Sequence, residues 1–372
     1  MKYYLIAGEA SGDLHGANLM KELRKQDPEA SFRCWGGDLM QQAQGELVKH
    51  YRDLAFMGFI EVILNLGTIL KNIKLCKTDI ATFNPDVIIF IDYPGFNLRI
   101  AKWAKKRGYQ THYYISPQIW AWKEGRIKDI KRDVDAMYVI LPFEKDFYEK
   151  KHDFPVHFVG HPLIDAISNR KQVHPNVFKE EQGWDERPII ALLPGSRKQE
   201  ISKMLHVMLS IVEDFTDYQF VIAGAPSQEA AFYQPFIQRQ NVHLLLNKTY
   251  DLLSISEAAL VTSGTATLET ALFKIPQVVC YKGSRISYEI AKRVIKLKYI
   301  SLVNLILDKQ VVTELIQAQF NAKQLKTELT HILDPYVRAT LFLEYYDLEK
   351  KLGGKGASEK TAQLIFEAIS KT

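Results

Sequence analysis

The feature that most constrains this chain is an alternation of short apolar runs with helical patterns, repeated in two successive series. The first series opens with YYLIAG at residues 3–8, followed by a Gly-containing loop and by Leu14, Ala17 and Met20 at the spacing of one helix face. Further strand-like runs in this half are residues 32–35, 87–91, 112–115, 136–141 and 156–159. Strands separated by helices predict βαβ units and a parallel sheet.

The second series follows a polar segment, residues 167–187, which we interpret as a linker because it lacks a strong period. Its strand-like runs are residues 189–193, 220–223, 242–246, 259–262 and 278–281. Residues 334–372 have a helical pattern that a Gly-Gly-Lys-Gly break interrupts. We therefore expect an α/β protein with domains at residues 1–167 and 168–345 and a helical tail at residues 346–372. The tail is expected to pack on the first domain of its own or a partner chain.

Composition excludes several classes of protein. The chain has 372 residues, of which 47% are hydrophobic, so it is long and apolar enough to fold around sizeable cores. Its net charge of +5 permits an anionic partner without requiring one. The basic residues are scattered over both halves, which argues against a nucleic-acid-binding protein. Three widely spaced cysteines suit a reducing cytoplasm, and we expect no metal site because no ligand spacing is present.

Two segments could contact lipid. Residues 54–70 are apolar, but Glu61 and Asn65 make a membrane span unfavourable, which leaves a buried helix or a surface for acyl chains. The candidate acyl contacts in this segment are Phe56, Met57, Phe59, Ile60 and Ile63. Residues 281–304 form a basic amphipathic stretch, which suits either an anionic membrane surface or a solvated helix.

In Rossmann-like domains ligands bind at the carboxyl ends of the strands, so the loops after the strands are the candidate sites. The first loop, GEASGD, lacks the G-x-G-x-x-G spacing, which argues against a nicotinamide cofactor. Its acids Glu9 and Asp13 disfavour a phosphate in direct contact. Ser11 or Asp13 could cap the following helix, contact a substrate, or do both.

Two later loops of the first half also carry candidates. Asp92 ends the apolar strand of IDYPGFN, where it could act as a general base or cap the Pro-Gly turn. Trp120 and Trp122 in SPQIWAW could line a cleft, hold an acyl chain, or pack between domains.

In the second half, two loops have the composition of phosphate sites. Gly195, Ser196 and Arg197 combine close backbone approach, hydrogen-bond donors and a fixed cation. The second loop is hydroxyl-rich and enters a helix, which predicts another diphosphate contact, at Ser263, Gly264, Thr265, Ala266 and Thr267. Glu269 could accept hydrogen bonds from a ribose diol or could be a surface residue.

Taken in order, nine motifs resemble those of the lipid-A-disaccharide synthase family of GT-B glycosyltransferases. They are GEASGD, AFMGFIEV, IDYPGFN, SPQIWAW, LPFEK, FVGHPL, LLPGSR, TSGTATLE and SLVNL, and they cover about residues 4–305. The resemblance implies two Rossmann-like domains with parallel sheets facing across a cleft, the first binding the acceptor and the second the UDP-sugar.

The resemblance also implies an inverting, metal-independent transfer without a cofactor. A 2,3-diacylglucosamine unit would pass from UDP to 2,3-diacylglucosamine 1-phosphate, giving the β-1,6 lipid A disaccharide 1-phosphate and UDP. It further implies a Gram-negative source, a cytoplasmic location on the anionic inner-membrane surface and, in some members, a homodimer with exchanged C-terminal segments.

Matching motifs assign roles by resemblance. The strand-tip acid of the family corresponds to Asp92, the first-loop acid to Glu9, the phosphate-binding arginine to Arg197, and an important asparagine on the UDP side to Asn304. The chain departs from many members at Gly95, where they carry a second Asp. The alternatives are another UDP-GlcNAc-using GT-B enzyme, such as a peptidoglycan transferase or a 2-epimerase, and a non-catalytic nucleotide-sugar-binding protein.

Overall fold

The computed structural model describes residues 1–54, 66–170, 172–283 and 298–370. It separates into two compact units. Unit 1 comprises Met1–Asp165 together with Leu352–Thr372, and unit 2 comprises Ala166–Lys351. Each unit contains a parallel β-sheet and helices, which confirms the predicted α/β class with two Rossmann-like domains.

Unit 1 alternates strands and helices along most of its length. Its elements before the tail are β1 (Lys2–Ala7), α1 (Ala10–Gln26), β2 (Ser31–Gly36), α2 (Asp38–Gln42), β3 (Glu46–His50), α3 (Leu66–Phe83), β4 (Val87–Ile91), α4 (Pro94–Lys105), β5 (Gln110–Tyr114), α5 (Ile127–Asp133), β6 (Ala136–Val139), α6 (Pro142–Asp146) and β7 (His157–Phe158). Helix α7 (Pro162–Ser168) crosses the boundary between the units.

The sheet of unit 1 has the order β3-β2-β1-β4-β5-β6-β7, with every pair parallel. Strand β4 has the sequence VIIFI and is completely buried, as expected for a central strand with helices on both faces. Chain order reverses between β1 and β4, so the helices after these two strands cover opposite faces. The loops that follow β1 and β4 therefore leave the sheet side by side.

Unit 2 repeats this plan. Its elements are α8 (Pro175–Gln182), β8 (Ile189–Leu193), α9 (Lys198–Met208), β9 (Gln219–Gly224), α10 (Ala230–Tyr233), β10 (Val242–Leu246), α11 (Thr249–Ile255), β11 (Ser256–Thr262), α12 (Thr265–Leu272), β12 (Gln277–Tyr281), α13 (Leu302–Leu307), β13 (Glu314–Ile316), α14 (Ala322–Leu333) and α15 (Pro335–Lys351). The parallel sheet has the order β10-β9-β8-β11-β12-β13, so the reversal falls between β8 and β11.

The segment interpreted as a linker contains more structure than the sequence predicts. Residues 175–182 form α8, and Phe178 on this helix is buried in the core of unit 2 beside Trp184. The chain therefore passes between the units at Asp165–Ala166, and the remainder of the polar segment belongs to unit 2.

The last helix, α16 (Ala357–Ser370), returns the chain to unit 1, where it packs against α1. The Leu352 carbonyl accepts a hydrogen bond of 2.9 Å from the His161 N–H. The Asp165 carboxylate accepts from the N–H groups of Gly356 and Ser358 at 2.7 and 3.0 Å. Asp165 thus caps α16 from a position almost 200 residues earlier in the chain.

Replacement of Asp165 by Ala is expected to lower the free energy of unfolding by about 1–2 kcal/mol, the usual cost of losing a helix N-cap. Urea denaturation measures this change. The control is Asp146→Ala, because the side-chain contact of Asp146 with the described residues is an exposed i,i+4 pair with Lys150, which contributes little. Equal stability of the two variants would contradict the capping role.

Candidate active site

Glu9 and Asp92 lie at the reversal point of the unit 1 sheet. Ala7 of β1 is paired with Ile91 of β4, so the two acids follow directly from neighbouring strands. Glu9 is exposed and begins α1, whereas Asp92 is half-buried. The two acids are electrostatically coupled, because the charge of Glu9 raises the pKa of Asp92.

Burial is the main cause that raises the pKa of Asp92 to about 6, and repulsion from Glu9 adds to it. A hydrogen bond from the Tyr93 N–H opposes this shift. A carboxylate with this pKa is mostly ionised at neutral pH and is a stronger base than an ordinary aspartate, which suits general base catalysis.

The backbone around Asp92 is strained and firmly held. Asp92 and Tyr93 both have left-handed conformations, with φ of 44° and 50°. The Asp92 carbonyl accepts hydrogen bonds from the Tyr113 hydroxyl at 2.6 Å and from Asn97 Nδ2 at 2.7 Å. Two consecutive left-handed residues other than glycine are uncommon, and such strain is concentrated at functional sites.

Gly8 is required by the close approach of this turn to the first loop. A Cβ at Gly8 would lie 2.3 Å from Cγ of Tyr93, far inside van der Waals contact. Because Gly8 has no side chain, the ring of Tyr93 can pack directly against the first loop at Gly8, the residue before Glu9.

The expectation that Ser11 or Asp13 caps its own helix is wrong. Glu9 is the N-cap of α1, none of the described side chains forms a capping hydrogen bond there, and Ser11 is exposed. Asp13 is buried, and its carboxylate accepts from three N–H groups at the start of α2, those of Gly37, Leu39 and Met40, at 2.8–3.0 Å. These bonds use Asp13 to fix the loop after β2, which leaves it poorly placed for a substrate contact.

Trp120 and Trp122 follow β5, the next strand after β4 in the sheet. Trp120 is partly buried and donates its Nε1–H to Glu144 at 3.2 Å, and its ring meets that of Phe143 edge-on. Trp122 is 47% exposed. Trp120 therefore anchors the loop, and Trp122 remains available for a ligand.

Glu144 is a residue of this region that the sequence argument does not single out. It is almost fully buried, and its carboxylate accepts from the Ser116 hydroxyl, from Trp120 and from the N–H groups of Ile140 and Leu141. Burial raises its pKa to about 7. The LPFEK motif contains the residue, but only the fold shows that it joins the loops after β5 and β6.

The predicted acyl contacts Phe56, Met57, Phe59, Ile60 and Ile63 lie outside the described residues. Within the described ranges, no helix combines the length and the hydropathy needed to cross a bilayer. In the same ranges, no three His, Cys, Asp or Glu side chains are grouped so that they could hold a metal ion.

In unit 2, the two predicted phosphate loops also lie at the reversal point of the sheet. Leu193 at the end of β8 is paired with Val261 near the end of β11. Gly195 has φ of +101°, and a Cβ there would lie 2.4 Å from Oε2 of Glu200, so the tight turn needs glycine. Arg197 is the N-cap of α9 and is exposed, and its guanidinium has no partner among the residues that the structure describes.

Residues of the hydroxyl-rich loop divide into two groups. Gly264 and Thr265 are exposed at the start of α12, where unpaired N–H groups can face an anion, and Ala266 is half-buried. By contrast, the hydroxyls of Ser263 and Thr267 donate to the carbonyls of Ile300 and Gly264. Ser196 is exposed, and its carbonyl accepts from Ser227.

Glu269 is held inside unit 2 by the Tyr250 hydroxyl, which donates to Oε1 at 2.7 Å. Burial raises the pKa of Glu269, and the bond from Tyr250 opposes this shift. The second carboxylate oxygen could still accept from a ribose, so the surface-residue alternative does not describe this side chain.

Asn304 does not fit the predicted UDP contact. It is fully buried, its Nδ2 donates to the Val312 carbonyl and to Glu314 Oε1, and its Oδ1 accepts from the N–H groups of Val311 and Val312. An asparagine side chain has two donors and two acceptor positions, and all are used. Glu314 also accepts hydrogen bonds from the N–H groups of Ile300 and Ser301. Asn304 therefore supports the chain around residues 300–314 rather than contacting a ligand through its side chain.

Comparison with solved structures places the fold in the class shared by UDP-sugar epimerases and GT-B glycosyltransferases. A UDP co-structure of MnaA from S. aureus aligns with a TM-score of 0.72 and 13% identity, covering 100% of this chain and 97% of that one. The UDP-GlcNAc 2-epimerase of Neisseria meningitidis, bound to UDP-GlcNAc, gives 0.70 and 14% with 100% of both chains covered. The calicheamicin glycosyltransferase CalG4 gives 0.59 and 14%, covering 99% of this chain and 98% of the other.

Sequence comparison identifies the family within this class. The family model for lipid-A-disaccharide synthetase matches residues 3–365, and the chain belongs to that family. The lipid-A-disaccharide synthase of Geobacter metallireducens is 39% identical over 99% of this chain and 97% of its own length. That of Coxiella burnetii is 36% identical, with 98% of each covered. The chain is therefore a glycosyltransferase of lipid A disaccharide synthesis, and neither the epimerase nor the non-catalytic alternative is favoured.

Proposed function

We propose that this chain transfers 2,3-diacylglucosamine from its UDP carrier to the 6-hydroxyl of 2,3-diacylglucosamine 1-phosphate. The products are the β-1,6-linked disaccharide 1-phosphate and UDP. Family membership supports this reaction, and the observation that supports the chemistry most directly is the Asp92–Glu9 pair at the reversal point of the unit 1 sheet.

Asp92 is the proposed general base. It takes the proton from the acceptor 6-hydroxyl while that oxygen attacks the anomeric carbon from the face opposite UDP. The new bond joins the acceptor oxygen to the anomeric carbon, and the bond from that carbon to the diphosphate oxygen breaks. A single displacement of this kind inverts the anomeric configuration, through a transition state of oxocarbenium character.

The departing UDP carries additional negative charge, and unit 2 offers groups that suit it. Arg197 provides a permanent cation that can bind two phosphate oxygens, and the exposed start of α12 at Gly264–Thr265 provides N–H donors. Fixed donors aimed at developing charge commonly contribute about 3 kcal/mol each to transition-state stabilisation.

We also propose that the protein works at the cytoplasmic surface of the inner membrane, because both substrates carry acyl chains. Helix α3 begins within the apolar segment, at Leu66, and exposes Leu70 and Leu75, at 56% and 45%. Exposed apolar side chains on the helix that continues this segment suit contact with a membrane interface.

The test of the reaction is mass spectrometry of the product formed from the two proposed substrates, in the presence and absence of EDTA. We expect a disaccharide monophosphate and stoichiometric UDP under both conditions. Absence of the disaccharide would refute the proposed reaction, and its loss in EDTA alone would refute metal independence.

Asp92→Asn is expected to lower kcat by about 10²–10⁴-fold, because an amide cannot accept the proton that a general base removes. UDP affinity, measured by isothermal titration calorimetry, should stay within a factor of two, since Asp92 belongs to the other unit. Turnover close to the wild-type value would require a different base.

Arg197→Ala is expected to weaken UDP binding about tenfold or more, because a charge-assisted bond contributes roughly 1.5–3 kcal/mol. Arg239→Ala is the matched control, since Arg239 is also in unit 2 but pairs with Glu213 and the Leu209 carbonyl. If both variants bound UDP equally well, the phosphate assignment of Arg197 would be wrong.

The pH profile should reveal the coupling of the two acids. As a base, Asp92 must be ionised, so kcat/KM should fall tenfold per pH unit below its pKa of about 6. Repulsion from Glu9 raises that pKa, so Glu9→Gln should move the acid limb to lower pH.

Glu29→Gln, at an exposed site, is the control for this shift. The acceptor phosphate titrates in the same range, but its contribution is common to all three proteins. An acid limb that does not move in Glu9→Gln would contradict the coupling.

A further inference from the structure

The loop after β5 presents an exposed aromatic ring flanked by two cations. Trp122 is 47% exposed. Nζ of Lys123 lies 4.3 Å from the centre of its ring, and Cζ of Arg126 lies 5.8 Å from it. Both cations lie over the ring in cation–π contact, and the remaining exposed indole forms one surface with them. Such a surface suits a ligand that is flat and apolar in one part and anionic in another.

The two cations are not neutralised within the part of the chain that the structure describes. Glu124, which lies between them in sequence, is engaged by Lys151 at 2.7 Å and by His152 at 3.0 Å. No described carboxylate forms an ion pair with Lys123 or Arg126, so both charges remain available to an external anion.

The position of this loop relates it to the proposed base. Tyr114 at the end of β5 is paired with Ile91 at the end of β4, so the two loops leave adjacent strands. The Tyr113 hydroxyl donates to the Asp92 carbonyl. Burial raises the pKa of Tyr113 well above its usual range, the charge of Asp92 adds to this rise, and Arg126 opposes it. The charges of Asp92 and Arg126 thus both affect the pKa of the Tyr113 hydroxyl.

The loop is also held in a defined shape. Ile115, a β-branched residue, has φ of +63°, and Lys123 has φ of +57°. Glu144 binds the loop at Ser116 and Trp120, as described above. A loop that contains strained residues and is bonded at two other positions to a buried carboxylate is preorganised around Trp122.

We propose that Trp122, Lys123 and Arg126 form the subsite for the sugar 1-phosphate of the acceptor. The indole packs against the apolar face of the pyranose, and Lys123 and Arg126 bind the phosphate. The phosphate is on C1 and the reacting 6-hydroxyl is on the substituent of C5, and these two ring carbons flank the ring oxygen, so the phosphate subsite must lie beside Asp92 on the same edge of the sheet, as the loop after the adjacent strand does. This inference rests on the proposed function and extends it to acceptor specificity.

The test compares 2,3-diacylglucosamine 1-phosphate with 2,3-diacylglucosamine as acceptors, in detergent micelles. In the Lys123→Gln/Arg126→Gln double variant, we expect KM for the phosphorylated acceptor to rise at least tenfold with little change in kcat. KM for the acceptor without phosphate and KM for the UDP-sugar should stay within a factor of two. Lys128→Gln, at an exposed position where no described residue pairs with the lysine, should behave like the wild type.

A binding measurement keeps this proposal separate from the proposed reaction. The Kd of each acceptor for the wild type and the double variant, measured by calorimetry, needs no turnover. If no disaccharide forms but the double variant loses tenfold affinity for the phosphorylated acceptor alone, the reaction is wrong and the phosphate subsite is supported. If disaccharide forms and the double variant treats both acceptors alike, the subsite is wrong and the reaction is supported.

The same cations could instead bind an anionic lipid headgroup, and vesicle sedimentation distinguishes this source of phosphate. Vesicles of phosphatidylglycerol and phosphatidylethanolamine should bind the wild type and the double variant equally if the subsite holds the acceptor. Loss of vesicle binding with unchanged micellar kinetics would overturn the proposal.

Discussion

The structure depends above all on the parallel pairing of β1 with β4 and of β8 with β11. At each pair the chain order of the sheet reverses, so the following helices diverge to opposite faces and two loops are left side by side at the sheet edge. In unit 1 these loops carry Glu9 and Asp92, and in unit 2 they carry Arg197 and Thr265. The backbone register of four strands therefore brings together residues that are far apart in the sequence.

Four carboxylates of unit 1 show how the environment decides what an acid does. Asp13 accepts hydrogen bonds from three N–H groups and fixes a turn. Glu144 accepts hydrogen bonds from four donors and joins two loops. Glu9 is exposed. Asp92 is half-buried beside Glu9, with a pKa raised to about 6. Of the four, Asp92 combines partial access to solvent with increased basicity, which is the combination that proton abstraction requires.

Much of the fold is predictable from the sequence because buried parallel strands are continuous apolar runs. The expected runs at residues 87–91 and 189–193 coincide with β4 and β8. Two of the four edge strands, β3 and β13, are not predicted. Strand β3 has the half-polar sequence ELVKH and β13 has three residues, so neither has a pattern that the sequence distinguishes from a loop. Helix α8 was hidden in a polar segment because it buries little more than Phe178.

The site was less predictable than the fold. Strand ends identified Asp92 and Arg197, since position after an apolar run is visible in the sequence. The sequence does not show which polar side chains already form hydrogen bonds within the fold. Asp13 and Asn304 are bonded to backbone groups 24–27 and 7–8 residues away, and the partners of Glu144 come from two separate loops. Such contacts are set by tertiary packing, so a motif can locate these residues without revealing whether they bind a ligand or support the fold.

The return of the chain to unit 1 has a consequence for biosynthesis. Because α16 packs on α1 and Asp165 binds the N–H groups of Gly356 and Ser358, unit 1 stays incomplete until the ribosome has released α16. Unit 2, whose residues are contiguous, emerges whole before that moment. A premature stop codon or a frameshift between unit 2 and α16 would consequently harm the unit whose translation began first.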